Sequence, residues 1–198
     1  MNIAIIFAGG SGVRMGAGMP KQFLEINGKP IIIHTLDNFQ NSPSIDKIYI
    51  SCKKDYITTL QDLTKRFAIT KVCGIVEGGS NGQDSIYRAL RAADAENDKD
   101  AIVLIHDGVR PFVSEEVIQK NIECVKQHGS AVTCTSFFET PILSKGGEEV
   151  EEMPLKKEMF TAQAPQSFYL GEIMDAHKKM RELNPDYVDI ADSCNLYK

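Results

Sequence analysis

Apolar and polar residues alternate in blocks along this chain. Short apolar runs at 3–7, 47–51, 71–76, 101–105 and 130–135, most of them rich in Ile and Val and bounded by Gly, Asp or Ser, predict strands. Helical spacing fills the intervals: Ile32, Leu36 and Phe39 behind Pro30, then Ile57, Leu60, Leu63 and Phe67, then Ile86, Leu90 and Ala93. Ser114 stands as an N-cap before Glu115 and Glu116 and the stripe Ile118, Ile122, Val125, and His128-Gly129 closes that helix. Residues 170–183 read as one more helix, with no closing strand after it. Strands alternating with helices of this length predict a single α/β domain over 1–198, a three-layer α/β/α fold around a mostly parallel sheet.

The segment 137–160 breaks this rhythm. Pro141, Gly146, Gly147 and Pro154 interrupt it, and 148–152 is a dense acidic run. It reads as a protruding hairpin or arm. Irregular connections of this length are uncommon and usually functional, the alternative being a solvated surface loop.

Chemistry gathers where predicted strands end. The first runs into Ala8-Gly9-Gly10-Ser11-Gly12-Val13-Arg14-Met15-Gly16, followed by Met19-Pro20-Lys21-Gln22-Phe23. Glycines let backbone N–H groups approach a phosphate, and this strand end is where open α/β sheets bind ligands. A P-loop needs Gly-Lys-Ser/Thr, but Lys21 is separated from the last glycine, Gly18, by Met19 and Pro20 and is followed by Gln22. A dinucleotide fingerprint needs a helix directly after the glycines and an acid ending the second strand, which instead ends Ser51-Cys52-Lys53. The loop carries two cations, Arg14 and Lys21, beside a glycine cradle. That suits a triphosphate whose departing pyrophosphate gains charge, while either cation alone reads equally as a surface residue.

A second glycine loop, Gly78-Gly79-Ser80-Asn81-Gly82, enters the third predicted helix through Gln83, Asp84 and Ser85. It suits contacts to a base or ribose, and Asp84 or Ser85 suits a plain helix cap equally well. The fourth strand ends His106-Asp107-Gly108-Val109-Arg110-Pro111. Asp107 lies at the carboxyl edge of the sheet and suits Mg²⁺, which takes one or two carboxylates plus substrate phosphates. Arg110 suits a structural ion pair, and His106 a packed or orienting role.

Composition narrows the classes. A chain of 198 residues with 42% hydrophobic and 25% charged residues is long enough for one sizeable core. A net charge of -5 argues against a nucleic-acid surface. Five scattered cysteines lack any CxxC spacing, so neither a disulfide framework nor a zinc site is expected, and Cys73 and Cys134 read as buried small hydrophobes. No run is long enough for a signal h-region or a membrane span, which predicts a cytoplasmic protein.

Taken together, Ala8-Gly9-Gly10, Gly12, Arg14-Met15-Gly16, Met19-Pro20-Lys21-Gln22-Phe23, Gly78-Gly79, Asp84-Ser85, the 106–111 run and Pro165-Gln166-Ser167-Phe168 resemble the polyol-phosphate cytidylyltransferases. That family includes the 2-C-methyl-D-erythritol 4-phosphate enzyme of isoprenoid synthesis and the ribitol 5-phosphate enzyme of teichoic acid and capsule synthesis. The resemblance spans essentially the whole chain and implies a Rossmann-like nucleotidyltransferase fold, CTP and a polyol phosphate as substrates, Mg²⁺, and a homodimer. It implies that Arg14 and Lys21 grip the CTP phosphates, that the backbone of Ala8, Gly9, Gly10, Ser11 and Gly12 contacts the nucleotide, and that Gly79 and Ser85 hold cytosine and ribose. Asp107 would serve the metal and the incoming phosphate, beside Arg110. The arm at 137–160 would cross to a second subunit, where Thr140 and Lys156 face the partner's substrate. Family members commonly carry arginine where Gly82 stands and where Lys156 aligns, and a further Lys-bearing strand is expected beyond the segment that ends at Lys198. The Ala-Gly-Gly start and the Pro-Gln-Ser-Phe run resemble the ribitol branch more. A non-catalytic nucleotide-binding module and a nicotinamide-dependent dehydrogenase are the readings from other classes.

Overall fold

The computed structural model describes residues 1–9 and 19–197. Its centre is a six-stranded sheet in the order β5-β4-β1-β6-β8-β7, built from β1 (Asn2–Ala8), β4 (Lys47–Cys52), β5 (Val72–Glu77), β6 (Ile102–Asp107), β7 (Ser130–Ser136) and β8 (Phe160–Tyr169). The strands β5, β4, β1 and β6 run parallel, and β8 is antiparallel to both β6 and β7. A two-residue pair, β2 (Glu25–Ile26) and β3 (Lys29–Pro30), forms a small separate hairpin. Its turn, Asn27-Gly28, holds both residues at positive φ (52° and 75°), the backbone that an Asn-Gly pair tolerates best.

Helices cover both faces. On one side α1 (Ile31–Asn41), α2 (Ile57–Arg66) and α4 (Glu115–His128) pack on a core containing Ile6, Leu36, Phe39, Ile48, Leu104 and Ile118. On the other, α3 (Gly82–Asp94), α5 (Leu170–Leu183) and the short α6 (Ser193–Tyr197) close over Ile3, Ile5, Val103, Leu90 and Phe168. Because β1 and β6 feed alternate side chains to both cores, they read as continuous apolar runs. Each fully buried Ile or Leu contributes roughly 1.5–3 kcal/mol of transfer free energy. The helix ends follow the sequence: the Ser114 hydroxyl accepts from Val117 N–H, and Gly129, at φ 85°, closes α4 in the left-handed region that favours glycine.

Two expectations are corrected. Cys73 and Cys134 are exposed, because they lie on β5 and β7, the two edge strands, whereas Cys52, on an interior strand, is the buried thiol. The strand β8 went unread although it sits inside the sheet. Its Gln166 and Ser167 are buried, which an apolar-run criterion rejects. Hydrogen bonds satisfy them: Gln166 Oε1 accepts from Cys194 N–H at 2.9 Å, while Ser167 Oγ donates to Asn121 Oδ1 at 2.9 Å, Asn121 Nδ2 to Thr133 Oγ1 at 2.9 Å, and Thr133 Oγ1 to the Pro165 carbonyl at 2.8 Å.

Between β7 and β8 runs a largely irregular segment, residues 137–159, called the arm below. Leu143 and Glu152 bridge in antiparallel fashion, with Leu143 N–H donating to the Glu152 carbonyl at 2.8 Å. Phe138, Ile142, Val150, Met153 and Leu155 all stand exposed along it. Among the described residues no helix is long and apolar enough to cross a membrane.

Candidate active site

Strand order changes direction at β1, with β4 and β5 on one flank and β6 on the other. Open α/β sheets bind ligands in the crevice this leaves at the strands' carboxyl ends. A cleft of about 520 Å³ lies there, and residues following several strands converge in it. Ala8 and Gly9 come from the end of β1, Lys21 from the turn after it, Gly79 and Ser85 from the entry to α3, and Asp107 from the end of β6. Gly10, Ser11, Gly12 and Arg14 lie outside the described residues.

Close packing holds these loops together. A Cβ on Gly9 would stand 2.9 Å from Ser85 Oγ, and one on Gly108 would stand 3.2 Å from the Ala8 Cβ, so glycine lets both loops close on the end of β1. Gly108 N–H donates to the Phe7 carbonyl at 3.0 Å, while Thr35 Oγ1 and Asn38 Nδ2 of α1 donate to the carbonyls of Gly108 and Pro111. The Gln22 side chain donates to the Ala8 carbonyl, which draws the Lys21 turn onto the cleft.

The second glycine loop is more tightly organised than its sequence suggests. Asn81 is the N-cap of α3, accepting from Asp84 N–H at 2.9 Å, in place of the Asp84 or Ser85 cap considered above. The Ser85 hydroxyl donates to the Asn81 carbonyl at 2.8 Å and accepts from Gly79 N–H at 3.0 Å. Asp84 turns back, accepting from Ser80 N–H at 3.2 Å and pairing with Arg181 Nη1 at 2.8 Å and Arg88 Nη2 at 3.2 Å. Arg181 of α5, which sequence reading passed over, also lies 4.7 Å from the Tyr87 ring centroid. Only tertiary contact joins positions 84 and 181, so no local pattern marks the pair.

Asp107 lines the cleft with its carboxylate partly exposed, its Oδ1 accepting from Val109 N–H at 3.1 Å and its Oδ2 lying 3.8 Å from Arg110 Nε. His106 is buried against Phe39, with Nε2 3.0 Å from the Arg110 carbonyl. Burial pushes its pKa below the ordinary value, which suits a packed, neutral ring supporting the loop. Arg110 opens instead onto an adjoining cleft of about 460 Å³ and donates to Gln163 Oε1 at 3.0 Å. The two clefts share Phe7, Asn81, Gly82 and Asp107, so Asp107 stands on the wall between them. Asp192, also on the second cleft, keeps a lowered pKa: burial opposes its charge, but hydrogen bonds from Cys194, Asn195 and Gln166 outweigh it. Thr140 and Lys156 line neither cleft. Both lie exposed on the arm, where Lys156 Nζ donates to the Phe138 carbonyl.

No group of three or more His, Cys, Asp or Glu side chains able to hold a metal occurs among the described residues. The donor set, one accessible carboxylate facing a cleft, fits Mg²⁺ carried in on substrate phosphates rather than an ion caged by protein alone.

Fold and cleft together define a Rossmann-like α/β nucleotidyltransferase. Comparison with known proteins narrows this. The family model described as IspD, 2-C-methyl-D-erythritol 4-phosphate cytidylyltransferase, matches residues 2–197. A ribitol-5-phosphate cytidylyltransferase of Streptococcus agalactiae serotype V is 46% identical over 197 residues, covering 99% of this chain and 81% of that protein. A 2-C-methyl-D-erythritol 4-phosphate cytidylyltransferase of Clostridium botulinum is 36% identical over 188 residues, covering 95% of this chain and 81% of the relative. The crystal structure of 4-diphosphocytidyl-2C-methyl-D-erythritol synthase from Anaerococcus prevotii superposes with a TM-score of 0.82 at 26% identity, covering 100% of this chain and 81% of that one. The chain belongs to this family of polyol-phosphate cytidylyltransferases.

Proposed function

We propose that the chain transfers the cytidylyl group of CTP to ribitol 5-phosphate, giving CDP-ribitol and pyrophosphate. The observation that carries this reading is the convergence of Ala8, Gly9, Lys21, Gly79, Ser85 and Asp107 on one cleft from the connections that follow β1, β5 and β6. A phosphate oxygen of the polyol phosphate attacks the α-phosphorus of CTP in line, a new P–O bond forms, and the bond to the β-phosphate breaks. Both electrons of that bond leave with pyrophosphate.

Each residue has a part in this. Gly79 and Ser85 hold the cytidine, and the backbone from Ala8 and Gly9 into Gly10, Ser11 and Gly12 follows the nucleotide. Arg14 and Lys21 neutralise the pyrophosphate as it gathers charge, a preorganised electrostatic contribution that needs no covalent nucleophile. Asp107 holds Mg²⁺, which neutralises phosphate charge when bound. From the wall between the clefts it also orients the acceptor phosphate near Arg110.

The exposed apolar side chains of the arm support a homodimer, in which Thr140 and Lys156 serve the partner's acceptor site. Ribitol 5-phosphate is favoured over 2-C-methyl-D-erythritol 4-phosphate because relatives named for the former are 46% identical against 36% for the latter. The deciding experiment measures pyrophosphate release from CTP and Mg²⁺ with each polyol phosphate in turn. Faster release with 2-C-methyl-D-erythritol 4-phosphate overturns the acceptor, and silence with both overturns catalysis in favour of a nucleotide-binding role.

A further inference from the structure

We infer that Lys53 is a phosphate-binding residue of the nucleotide cleft, acting beside Lys21 on the triphosphate of the donor. The inference rests on the nucleotidyl-transfer reading above and adds to it a cation contributed by a different strand. Lys53 directly follows β4, the neighbour of β1, and lines the same cleft as Lys21, Gly79 and Asp107. It is half-buried, and its ammonium makes no hydrogen bond or ion pair among the described residues. Of the described residues lining the cleft only Lys21 and Lys53 carry positive charge, against the single carboxylate of Asp107.

The surrounding packing places Lys53 at the phosphate end of the nucleotide. Lys21 opens a 3₁₀ turn (Lys21–Phe23) and Lys53 caps another (Lys54–Tyr56). Phe23 and Tyr56, the last residues of those turns, stack with ring centroids 4.7 Å apart and 22° between planes. Both rings belong to the α1 and α2 face of the sheet. The stack therefore fixes the two lysine-bearing turns as one unit on one lip. Gly79 and Ser85, assigned to cytosine and ribose, enter from α3 on the opposite face. An ammonium left unpaired on the lip that also presents Lys21 is matched to a polyanion and not to a base edge.

The test is direct binding of CTP and of cytidine to the wild-type chain, Lys53→Gln and Lys53→Arg, with unfolding midpoints recorded alongside. A charge-assisted hydrogen bond contributes about 1.5–3 kcal/mol, so Lys53→Gln should weaken CTP binding about ten-fold or more. Cytidine binding and the midpoint should stay unchanged, and Lys53→Arg should recover most of the CTP affinity. Unchanged CTP binding by Lys53→Gln, or an equal loss for CTP and cytidine, overturns the assignment. A wild-type chain that binds no CTP overturns the nucleotidyl-transfer reading itself, and this inference with it.

Discussion

Replacing Arg181 by alanine tests how far a distant helix holds the nucleotide loop in place. The guanidinium donates to Asp84 Oδ1 at 2.8 Å and lies 4.7 Å from the Tyr87 ring and 5.8 Å from that of Tyr187. The Asp84 side chain is 12% exposed and that of Arg181 36%. After the substitution Asp84 keeps Arg88 at 3.2 Å and Ser80 N–H at 3.2 Å, so its charge is not stranded. The 3–5 kcal/mol typical of breaking a buried pair therefore does not apply. The loss is one charge-assisted hydrogen bond, about 1.5–3 kcal/mol, and cation–π contacts worth about 0.5–1 kcal/mol. Discounting for the partly exposed guanidinium leaves about 2 kcal/mol. For a chain of this size that lowers the unfolding midpoint by about 4–8 °C. Urea unfolding of wild type, Arg181→Ala, Asp84→Asn and the double variant should give a coupling of about 1–2 kcal/mol. Because Asp84 also holds Ser80 N–H, the KM for CTP should rise several-fold in Arg181→Ala while kcat stays near wild type. A stability loss under about 0.5 kcal/mol, within the range of an ordinary surface change, would show that Arg181 does not hold the loop.

Lys21→Ala should lower kcat/KM about 10²–10³-fold, as loss of a preorganised charge does, with the unfolding midpoint kept; wild-type turnover would remove Lys21 from the reaction. Gly79→Ala would place a Cβ 2.1 Å from Asp84 Oδ2 and 2.4 Å from its Cβ, so titration calorimetry should show CTP binding lost or greatly weakened, and normal binding would show that the loop yields. Burial, aided by the Arg181 charge, holds the His177 pKa down at about 4 against an ordinary 6.5. The unfolded chain therefore binds a proton between those values that the folded chain refuses. Stability is full above pH 6.5 and falls as pH drops towards 4, by on the order of 3 kcal/mol in all. In His177→Gln the slope of unfolding free energy between pH 6.5 and 5 should flatten, and an unchanged slope would place the titration elsewhere.

The four parallel strands and the helices α1 to α5 were legible because their burial is one-sided or complete, and burial imprints a period on residue order. Ser114 and Gly129 marked the ends of α4 for the same local reason. The hairpin of β2 and β3 was not read, since its strands are two residues long and only Asn27-Gly28 marks its turn. The strand β8 was illegible because its buried Ser167 and Gln166 are satisfied by distant residues, Ser167 donating to Asn121 and Gln166 accepting from Cys194 N–H. Among the residues lining the cleft, Ala8, Gly9 and Asp107 were readable as strand-end residues, Lys21 as a cation beside the first glycine loop, and Gly79 and Ser85 as the second loop and its helix entry. Lys53 was visible too, but only as an argument against a dinucleotide fold.

Residue order alone determined the layers and the parallel strands. Those are local properties, carried by the chain's periodicity. The folded chain was needed to put Asp107 on the wall between two clefts, to bring Arg181 onto Asp84, and to stack Phe23 on Tyr56 so that two lysines share one lip. Each of these joins residues that no helical or strand period relates. Their meeting depends on the order in which strands assemble into the sheet, and that order is a property of packing.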